Sequence, residues 1–359
     1  MKSAEITEQG RHTLTEIFSQ PRCWSECLGK LAAGEELRAA IQMARPEAEW
    51  IFVGCGTSYY LALAAAASFN HLKLPARAVA ASDLLMYPAL TLNAERHYIP
   101  VVISRSGRTS EAIRAAQMLE KTLDLRTLGI TCTDGQPLEA ACSVTLKILE
   151  ANEKSTVMTR SFTSMLLGLQ YLGASISGND AFARALLELP QQVHPLLKGM
   201  PERLQRFAES RTFSDFVFLA QGPLFGIASE CMLKVTESSC SYAQVFHSLE
   251  FRHGPKSIAG PDTLITFLMA ETSYDAELEL LEEMKALGAA TMVIANRVDA
   301  RAKCASDFAI ELGLDSPEYA RLAAFAIGGQ LYGVYYGLKK GLNPDSPKNL
   351  TRVVELAEE

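Results

Sequence analysis

From residue 50 onward, short apolar runs alternate with longer stretches in which apolar residues recur every three or four positions. Short runs of this kind predict buried strands, and the longer periodic stretches predict amphipathic helices. The alternation of the two is typical of parallel βαβ units. In the first half we predict strands at 50–53, 76–80, 99–103, 126–131 and 144–148, and helices at 58–72, 110–121 and 159–177.

The same alternation begins again after a proline-marked stretch at 190–201. There we predict strands at 215–220, 264–269 and 291–295, and helices at 226–238, 275–287 and 317–339. The two series line up at a nearly constant offset, which pairs Gly56 with Gly222, Ser104 with Met269 and Asp134 with Asp299. This regularity indicates an internal duplication of one α/β unit.

The first 49 residues predict a helical lead-in ahead of the first strand. Its periodic segments cover 7–18, 24–31 and 35–43. We expect the first helix to stop at Pro21 and the third at Pro46, because proline lacks a backbone donor and clashes inside a helix.

The charge balance disfavours several classes of protein. The chain has 34 Lys and Arg against 41 Asp and Glu, and its net charge of −7 argues against the basic surface that nucleic acids require. No apolar run approaches the ~20 residues needed to span a bilayer. The polar N-terminus also lacks the apolar core of a secretory signal. We therefore expect a cytoplasmic protein with no nucleic-acid or membrane partner.

Cysteine and histidine give no sign of a disulfide framework, a metal site or a cofactor. The eight cysteines form no Cys-x-x-Cys pair, so we expect buried free thiols. His247, Glu250 and His253 have a metal-like spacing, but a helix would spread them around its axis, and the Gly-Pro pair that follows favours a loop. We expect neither a metal nor a cofactor.

The first predicted strand ends in a turn that suits an anion. Residues 54–58 read Gly-Cys-Gly-Thr-Ser and lead straight into a predicted helix. Two glycines let the backbone turn sharply, and the amides at a helix start carry partial positive charge beside Thr57 and Ser58. Tyr59 stands where a dinucleotide fingerprint needs its third glycine. Taken alone, the motif is equally compatible with a plain strand-to-helix turn.

A second turn of this kind follows the strand predicted at 99–103. Residues 104–111 read Ser-Arg-Ser-Gly-Arg-Thr-Ser-Glu, so four hydroxyls crowd the start of a helix. An N-cap needs only one hydroxyl. Several hydroxyls with helix-start amides make a cradle for a phosphate monoester, to which Arg105 or Arg108 could add charge. Because open α/β sheets bind ligands at the carboxyl ends of their strands, we favour phosphate binding over capping.

The second half carries candidate acid/base groups instead of hydroxyls. The turn after the strand at 215–220 reads Gln-Gly-Pro-Leu, which predicts a structural role. The next helix places Glu230, Lys234 and Glu237 on one face, where Glu230 and Lys234 have the spacing of a solvated surface pair. His253 stands before a Gly-Pro pair and is expected in a loop. A helix glutamate and a loop histidine together form the acid/base pair that sugar-phosphate chemistry requires.

Taken together, these motifs resemble the sugar isomerase (SIS) domain family over residues 50–355. The matching features are the turn at 54–58, the pattern Ser104-x-Ser106-Gly107-x-Thr109, Glu237 with His253-Gly254-Pro255 sixteen residues later, and the tail segments 343–347 and 349–352. The sequence is similar to the isomerase half of glucosamine-6-phosphate synthase and to AgaS-type amino-sugar-6-phosphate deaminase/isomerases. Residues 251–257 look more like the latter.

The resemblance implies an α/β fold with two tandem SIS domains. Each would be a parallel five-stranded sheet flanked by helices in a flavodoxin-like arrangement. We expect a helical lead-in at 1–49, a first SIS domain with the phosphate-binding turns at 50–200, a second SIS domain with the catalytic Glu and His at 201–345, and a tail at 346–359 that closes the active site.

The resemblance also implies a role for each candidate site residue. The phosphate would be held by Gly56, Thr57, Ser58, Ser104, Arg105, Ser106 and Thr109, with Arg105 acting mainly through its backbone amide. The catalytic residues would be Glu237, His253 and Arg352. Glu237 would move a proton between C1 and C2, and His253 would open the sugar ring from a neighbouring subunit. Further substrate contacts are expected at Lys234, Thr156, Met158 and Thr351.

Two features depart from the synthase pattern. Arg352 stands where the synthase has a lysine, and a guanidinium stays protonated, so it can hold an oxyanion or phosphate but cannot form a Schiff base. Fewer than fifty residues precede the first predicted strand, and they do not begin with the catalytic cysteine of a glutaminase domain. We therefore expect that this chain alone draws no ammonia from glutamine.

The expected function is the interconversion of a hexosamine 6-phosphate with a ketohexose 6-phosphate and ammonia by a homodimer without a glutaminase domain. The alternatives are a simple aldose/ketose sugar-phosphate isomerase, a fructosamine-6-phosphate deglycase and a sugar-phosphate-binding regulatory protein. Glu237 and His253 together count against the regulatory protein, because ligand binding alone does not require an acid/base pair.

Overall fold

The computed structural model describes residues 8–356, which divide into two compact units. The sheet-A unit comprises residues 20–153, 160–190 and 351–356, and the sheet-B unit comprises residues 8–19, 154–159 and 191–350. Because the chain passes between the units several times, a residue's place in the sequence does not by itself tell which unit holds it. The domain boundaries expected from the sequence stay a prediction.

Sheet A consists of parallel strands in the order β2-β1-β3-β4-β5. These strands are β1 (Glu49–Gly54), β2 (Ala76–Ala80), β3 (Tyr98–Ile103), β4 (Leu128–Thr131) and β5 (Val144–Lys147). Each overlaps a strand predicted from an apolar run. Every residue of β3 after Tyr98 is buried, as expected for a parallel strand that helices cover on both faces.

Helices of the sheet-A unit surround this sheet. They are α2 (Gln20–Ala33), α3 (Glu35–Ile41), α4 (Thr57–His71), α5 (Ala81–Met86), α6 (Pro88–Thr91), α7 (Ser110–Gln117), α8 (Pro137–Ala141) and α9 (Arg160–Ser177). Helix α10 (Asp180–Val193) leads from this unit into the other. Helices α4 and α7 begin shortly after β1 and β3, so their first amides lie at the carboxyl edge of the sheet.

Sheet B has the strand order β10-β9-β8-β6-β7, which is that of sheet A when each series is numbered from its own first strand. Its parallel strands are β6 (Asp215–Ala220), β7 (Tyr242–His247), β8 (Thr263–Met269), β9 (Ala290–Ala295) and β10 (Phe308–Glu311). The apolar pattern does not predict β7 and β10. Both are edge strands with partly exposed residues, so neither has a continuous apolar run.

Two helices of the sheet-B unit approach each other very closely. The helices of this unit are α1 (Arg11–Phe18), α11 (Met200–Ser210), α12 (Phe225–Ser239), α13 (Tyr274–Ala286), α14 (Ala300–Ala305) and α15 (Leu322–Lys339). A Cβ at Gly333 of α15 would stand 2.7 Å from the backbone oxygen of Lys234, and one at Gly337 would stand 2.1 Å from that of Ser238. Glycine at these positions therefore lets α15 pack directly on α12, the helix that carries Glu237.

Proline marks the starts of helices here more than their ends. The first helix ends at Phe18 as predicted, but Pro21 does not mark that end, because it is the second residue of α2, where its missing N–H costs nothing. Pro201 takes the same place in α11, and Pro190 lies inside α10. The helix predicted at 317–339 is divided into a 3-10 turn (Glu318–Arg321) and α15. The start of the first helix, predicted at residue 7, lies outside the described residues.

Helices α9 and α15 have 18 residues each. Within residues 8–356, neither these nor any other helix combines the length and apolarity that a membrane crossing requires.

Candidate active site

The turn between β1 and α4 folds the chain back within a few residues. A Cβ at Gly54 would lie 2.5 Å from the backbone carbonyl of Ser58, so the approach requires glycine. Gly56 has a φ of 53°, a conformation that side-chain-bearing residues rarely adopt. The amide of Ser58 donates to the carbonyl of Cys55 at 3.0 Å, and both Thr57 and Ser58 are buried. The result is a tight helix start that carries two hydroxyls.

The turn between β3 and α7 collects more hydroxyls. The Oγ of Ser104 lies 3.3 Å from the Oγ1 of Thr109, and the Oγ of Ser106 accepts a hydrogen bond from the amide of Arg108 at 3.2 Å. Gly107 has a φ of 63°, and a Cβ there would stand 2.6 Å from the Cβ of Gln136. These groups form a set of neutral hydroxyls and amides, which suits a phosphate monoester.

Two cysteines near this edge of sheet A are inert thiols. Burial raises the pKa of Cys55 to about 12, and it also raises the pKa of Cys132. Both therefore stay protonated at neutral pH, and a protonated thiol is not a nucleophile.

The side chain of Arg105 is committed to a buried ion pair. Its guanidinium lies 3.3 Å from the carboxylate of Glu153, and the two side chains are 6% and 0% exposed. It also donates to the backbone carbonyl of Arg352 at 2.9 Å. The carbonyl of Arg105 accepts from the amide of Cys132 at 2.9 Å, which fixes the turn against the end of β4. A contact with phosphate through its backbone amide stays the prediction for Arg105.

The tail segment 351–356 lies on the start of α7. The amide of Ser110 donates to the carbonyl of Val354 at 3.2 Å, and the Oγ of Ser110 accepts from the amide of Leu356 at 2.9 Å. Arg108 pairs with Glu355 at 2.7 Å, but both side chains are about half exposed, so this pair contributes little. The tail is therefore held beside the hydroxyl turn by its hydrogen bonds to Ser110 and by the bond from Arg105 to the carbonyl of Arg352.

Arg352 joins the tail to the buried ion pair. Its guanidinium donates to the side chain of Asn152 at 2.8 Å and to the backbone carbonyl of Glu153. The Oγ1 of Thr351 donates to the carbonyl of Val353 at 2.8 Å. The structure therefore places both of the predicted tail residues, Arg352 and Thr351, in the unit that carries the hydroxyl turns.

Three charged side chains on α12 form a row in which Glu230 and Lys234 are buried and Glu237 is partly exposed. The Nζ of Lys234 lies 3.4 Å from the carboxylate of Glu230 and 2.5 Å from that of Glu237. Lys234 is 1% exposed and Glu230 is 0% exposed, whereas Glu237 is 17% exposed. The expectation of a solvated surface pair is therefore wrong. Spacing along the sequence shows which residues share a helix face, but it does not show what covers that face.

The row gives Glu237 a fixed orientation. Burying a lysine is costly unless opposite charges surround it, and Lys234 has a carboxylate on either side. Glu237 is the member of the row that retains access to solvent. A carboxylate that is both anchored and accessible can take up and return a proton.

His253 lies in an exposed loop after β7. Its amide donates to the carbonyl of Glu250 at 3.0 Å, and Gly254 follows with a φ of 124°. The residue is exposed, and among residues 8–356 its ring takes part in no hydrogen bond. The structure therefore does not join His253 to Glu237 by a hydrogen bond within one chain. Nor does the described part of the chain hold a cluster of three His, Cys, Asp or Glu side chains that could bind a metal ion.

The segment 154–159 belongs to the sheet-B unit, although it lies early in the sequence. The carboxylate of Glu16 accepts hydrogen bonds from the amide and the hydroxyl of Ser155. The Oγ1 of Thr156 donates to the carbonyl of Asp345 at 3.3 Å, and Met158 is buried. The predicted substrate contacts Thr156 and Met158 thus share a unit with the charged row of α12 and not with the hydroxyl turns.

Glu153 and Glu277 are buried glutamates that emerge only from the structure. Glu153 binds Arg105, and Glu277 in α13 accepts hydrogen bonds from the hydroxyls of Ser248 and Ser273. Burial raises the pKa of Glu277 to about 7. No sequence signal marks either residue. The ion-pair partner of Glu153 lies far away in the sequence, as does Ser248 from Glu277, and Ser273 precedes Glu277 by four residues, whereas a capping box has a spacing of three.

A comparison with protein families finds a match in the first half of the chain. Residues 45–174 match the model of the SIS domain family. This stretch contains all of sheet A and both hydroxyl turns. The resemblance predicted from the sequence motifs is therefore confirmed.

Similar proteins carry names from one area of chemistry. A D-galactosamine-6-phosphate deaminase AgaS from Shewanella sp. is 26% identical over 97% of this chain and 90% of its own length. A glutamine–fructose-6-phosphate aminotransferase from Pyrobaculum aerophilum is 26% identical over 98% of this chain, which spans only 59% of that relative. A structure from Clostridium novyi, provisionally named a tagatose-6-phosphate ketose/aldose isomerase, has a TM-score of 0.88 at 25% identity and covers 98% of this chain and 95% of its own.

Proposed function

We propose that this chain, whose residues 45–174 belong to the SIS domain family, converts a hexosamine 6-phosphate and water into a ketohexose 6-phosphate and ammonia, and catalyses the reverse reaction. Residues of the two hydroxyl turns would hold the phosphate, and Glu237 would move the proton. The similarity to a galactosamine-6-phosphate deaminase over nearly the whole of both chains supports the choice of an amino sugar.

The observation that carries the proposal is the environment of Glu237. Its carboxylate lies 2.5 Å from the Nζ of Lys234, which is 1% exposed, while Glu237 itself is 17% exposed. A glutamate on an open helix face would lack a fixed orientation, and a fully buried one would be out of reach of a substrate. Glu237 meets both requirements of a general base.

The proposed reaction begins from the open-chain sugar. Glu237 removes the proton at C2, a double bond forms between C1 and C2, and the oxygen at C1 takes up a proton from solvent to give an enolamine. Glu237 then returns its proton to C1, and the nitrogen at C2 releases a proton to solvent, which leaves a neutral imine at C2. Water adds to this imine and ammonia leaves, so that C2 becomes the ketone. His253 would act earlier, by opening the sugar ring.

Arg352 would contribute charge and no covalent bond. A guanidinium remains protonated throughout the accessible pH range, so it cannot form the imine that a lysine would form with the ketone. Its contacts with Asn152 and with the carbonyl of Glu153 hold it beside the hydroxyl turns. We assign it to stabilising negative charge on the bound sugar phosphate.

A simple aldose/ketose isomerase is the second candidate. The Clostridium novyi structure, which carries that kind of name, covers nearly all of this chain. The proton transfer from C2 to C1 is common to both reactions, and the difference is whether an amine is present at C2 and leaves.

The deciding experiment is a panel of hexosamine 6-phosphates assayed for free ammonia and for ketose. The unphosphorylated amino sugars serve as matched controls, and aldose and ketose 6-phosphates without nitrogen test the second candidate. We expect ammonia release from at least one phosphorylated amino sugar and none from its unphosphorylated form. Interconversion of the nitrogen-free sugars without ammonia from any amino sugar would favour the isomerase. Binding without any turnover would favour a regulatory protein.

Three further features belong to the proposal. The identical strand order of sheets A and B supports two tandem SIS domains. We also propose a homodimer in which His253 is supplied by the partner subunit, which would explain why the ring forms no hydrogen bond among residues 8–356 of its own chain. The cytoplasmic location stays a prediction.

A further inference from the structure

A proton-transferring histidine on an exposed loop has to be held in place by that loop. The His253 loop, defined as residues 248–258, connects β7 to β8 and contains two short 3-10 turns, Leu249–Arg252 and Pro255–Ile258. The backbone hydrogen bonds within the loop join residues that are only three positions apart in the sequence. A loop with such local bonds takes a defined position from its contacts with a rigid element.

The amide of Ser248 donates to the carbonyl of Ala220 at the end of β6 at 3.1 Å, and the first contact of the loop with α13 is made by Glu277. This side chain is fully buried, and one carboxylate oxygen accepts a hydrogen bond from the Oγ of Ser248 at 2.5 Å. The other oxygen accepts from the amide of Ala270 at 3.1 Å and from the Oγ of Ser273 at 2.8 Å. Glu277 therefore ties the first residue of the His253 loop to the end of β8 and the start of α13.

The second contact is apolar. Phe251, two residues before His253, is 0% exposed. It belongs to the core cluster that includes Leu278, Leu281 and Met284 of α13. Burial of an aromatic side chain in this cluster anchors the middle of the loop to the same helix.

The third contact is made by Glu283, six residues after Glu277 on α13. One oxygen of its carboxylate accepts from the Nε of Arg252 at 2.9 Å, and the other accepts from the Nζ of Lys256 at 2.7 Å. Arg252 and Lys256 stand on either side of His253 in the sequence. A single carboxylate thus clamps the loop both before and after the histidine.

We propose that helix α13 is the platform that positions His253, with Glu277 and Glu283 as its positioning residues. Neither glutamate needs to touch the substrate, because each acts through the loop that carries the histidine. The inference rests on the proposed function, since it takes His253 as a working group of the reaction.

The test uses Glu283→Gln, with Glu282→Gln as its matched control. Glu283 is partly exposed, so its replacement should leave folding intact. Glu282 lies next to it on α13 and pairs with Arg301 at 2.8 Å, away from the His253 loop. Both variants remove one negative charge from the same helix, and only Glu283→Gln releases the clamp. Glu277→Gln provides a second variant at the buried contact.

Hydrogen exchange and steady-state kinetics are measured on the full-length protein. In Glu283→Gln we expect amide exchange at residues 248–258 to be at least ~10-fold faster and kcat to fall by about tenfold, while KM stays within about twofold because the phosphate contacts are intact. The control should match the wild type in both. Unchanged exchange, or faster exchange with unchanged kcat, would overturn the inference.

The outcome is distinguishable from a failure of the proposed function. If the wild-type protein turned over no sugar phosphate, the proposed function would be refuted. The claim that α13 positions His253 for catalysis would then be refuted as well. Exchange at residues 248–258 would still show whether α13 holds the loop.

Discussion

Sheets A and B share a strand order, but they present different chemistry where the first strand of each ends. In sheet A, Gly56 has a φ of 53° and is followed by Thr57 and Ser58. In sheet B, Gly222 has a φ of 52° and is followed by proline and leucine. The glycine φ angles are nearly equal, and only one turn carries hydroxyls. The two sheets therefore have a similar backbone turn at the carboxyl end of the first strand, and the side chains in that turn determine what it can bind.

The contrast continues in the next elements. Helices α4 and α12 follow these turns and have 15 residues each, but only α12 carries a row of acidic and basic side chains. The sequence offset that pairs Ser104 with Met269 also pairs Ser106, in the turn after β3, with Glu271, in the turn after β8. A carboxylate would repel a phosphate there. One sheet is thus suited to hold an anion, and the other to hold a proton-transferring carboxylate.

The largest expected effect comes from the sheet-B side. Glu237→Gln should lower kcat by ~100-fold to ~10,000-fold, because glutamine keeps the size of the side chain but cannot act as a base. Binding of the phosphosugar, measured by calorimetry, should change little. The exposed Glu282→Gln is the control for loss of a negative charge. Normal turnover in Glu237→Gln would remove Glu237 from the mechanism.

The next effect belongs to the sheet-A side. Ser104→Ala with Ser106→Ala should raise KM for the phosphorylated sugar, since each lost contact to a charged phosphate costs roughly 1.5 to 3 kcal/mol. The melting temperature should stay nearly unchanged. Pro223→Ala, in the hydroxyl-free turn of sheet B, should leave KM as it is. If the serine double variant melts early and binds ligand normally, these serines are structural.

A mixing experiment sharpens the assignment of the two sheet-B groups. If the protein is the proposed homodimer and each site draws the two residues from different subunits, inactive Glu237→Gln and inactive His253→Ala proteins mixed in equal amounts should regain up to about a quarter of wild-type activity. Differently tagged chains must first be shown to exchange. With exchange established, a mixture that stays inactive would show that His253 works within its own subunit or takes no part.

The last prediction concerns stability, and we expect it to have the smallest effect on turnover. The protonation state of Glu277 should make the stability of the protein depend on pH. Burial raises the pKa of Glu277 in the folded protein from 4.5 to about 7. The folded state therefore binds more protons than the unfolded state in this window, so the contribution of Glu277 to stability is present below pH 4.5 and is lost as the pH rises towards 7. Its size is on the order of 3 kcal/mol.

Glu277→Gln removes this titration. The free energy of unfolding of the wild type, measured by denaturant titration relative to that of Glu277→Gln, should fall from pH 4.5 to about 7 and then level off. A difference that does not change with pH would show that the carboxylate of Glu277 does not titrate in this range.

Much of the fold can be predicted from local patterns, because the central strands are buried on both faces and appear as apolar runs. The edge strands β7 and β10 cannot, since partly exposed residues interrupt the pattern. The hydroxyl turns are also local, as each lies within one stretch of sequence. The ion pair of Arg105 with Glu153 and the hydrogen bond of Ser248 to Glu277 join distant residues that no motif connects, so only the structure reveals them.

The most direct test of the central claim follows the hydrogen at C2. A hexosamine 6-phosphate labelled with deuterium at C2 is incubated with the wild type and with Glu237→Gln, and the label is followed by NMR. We predict that the wild type moves the deuterium to C1 or releases it to water as ketose forms, and that Glu237→Gln leaves it at C2. Equal loss of the label from C2 in both proteins would contradict the account, because the transfer would then not depend on the carboxylate of Glu237.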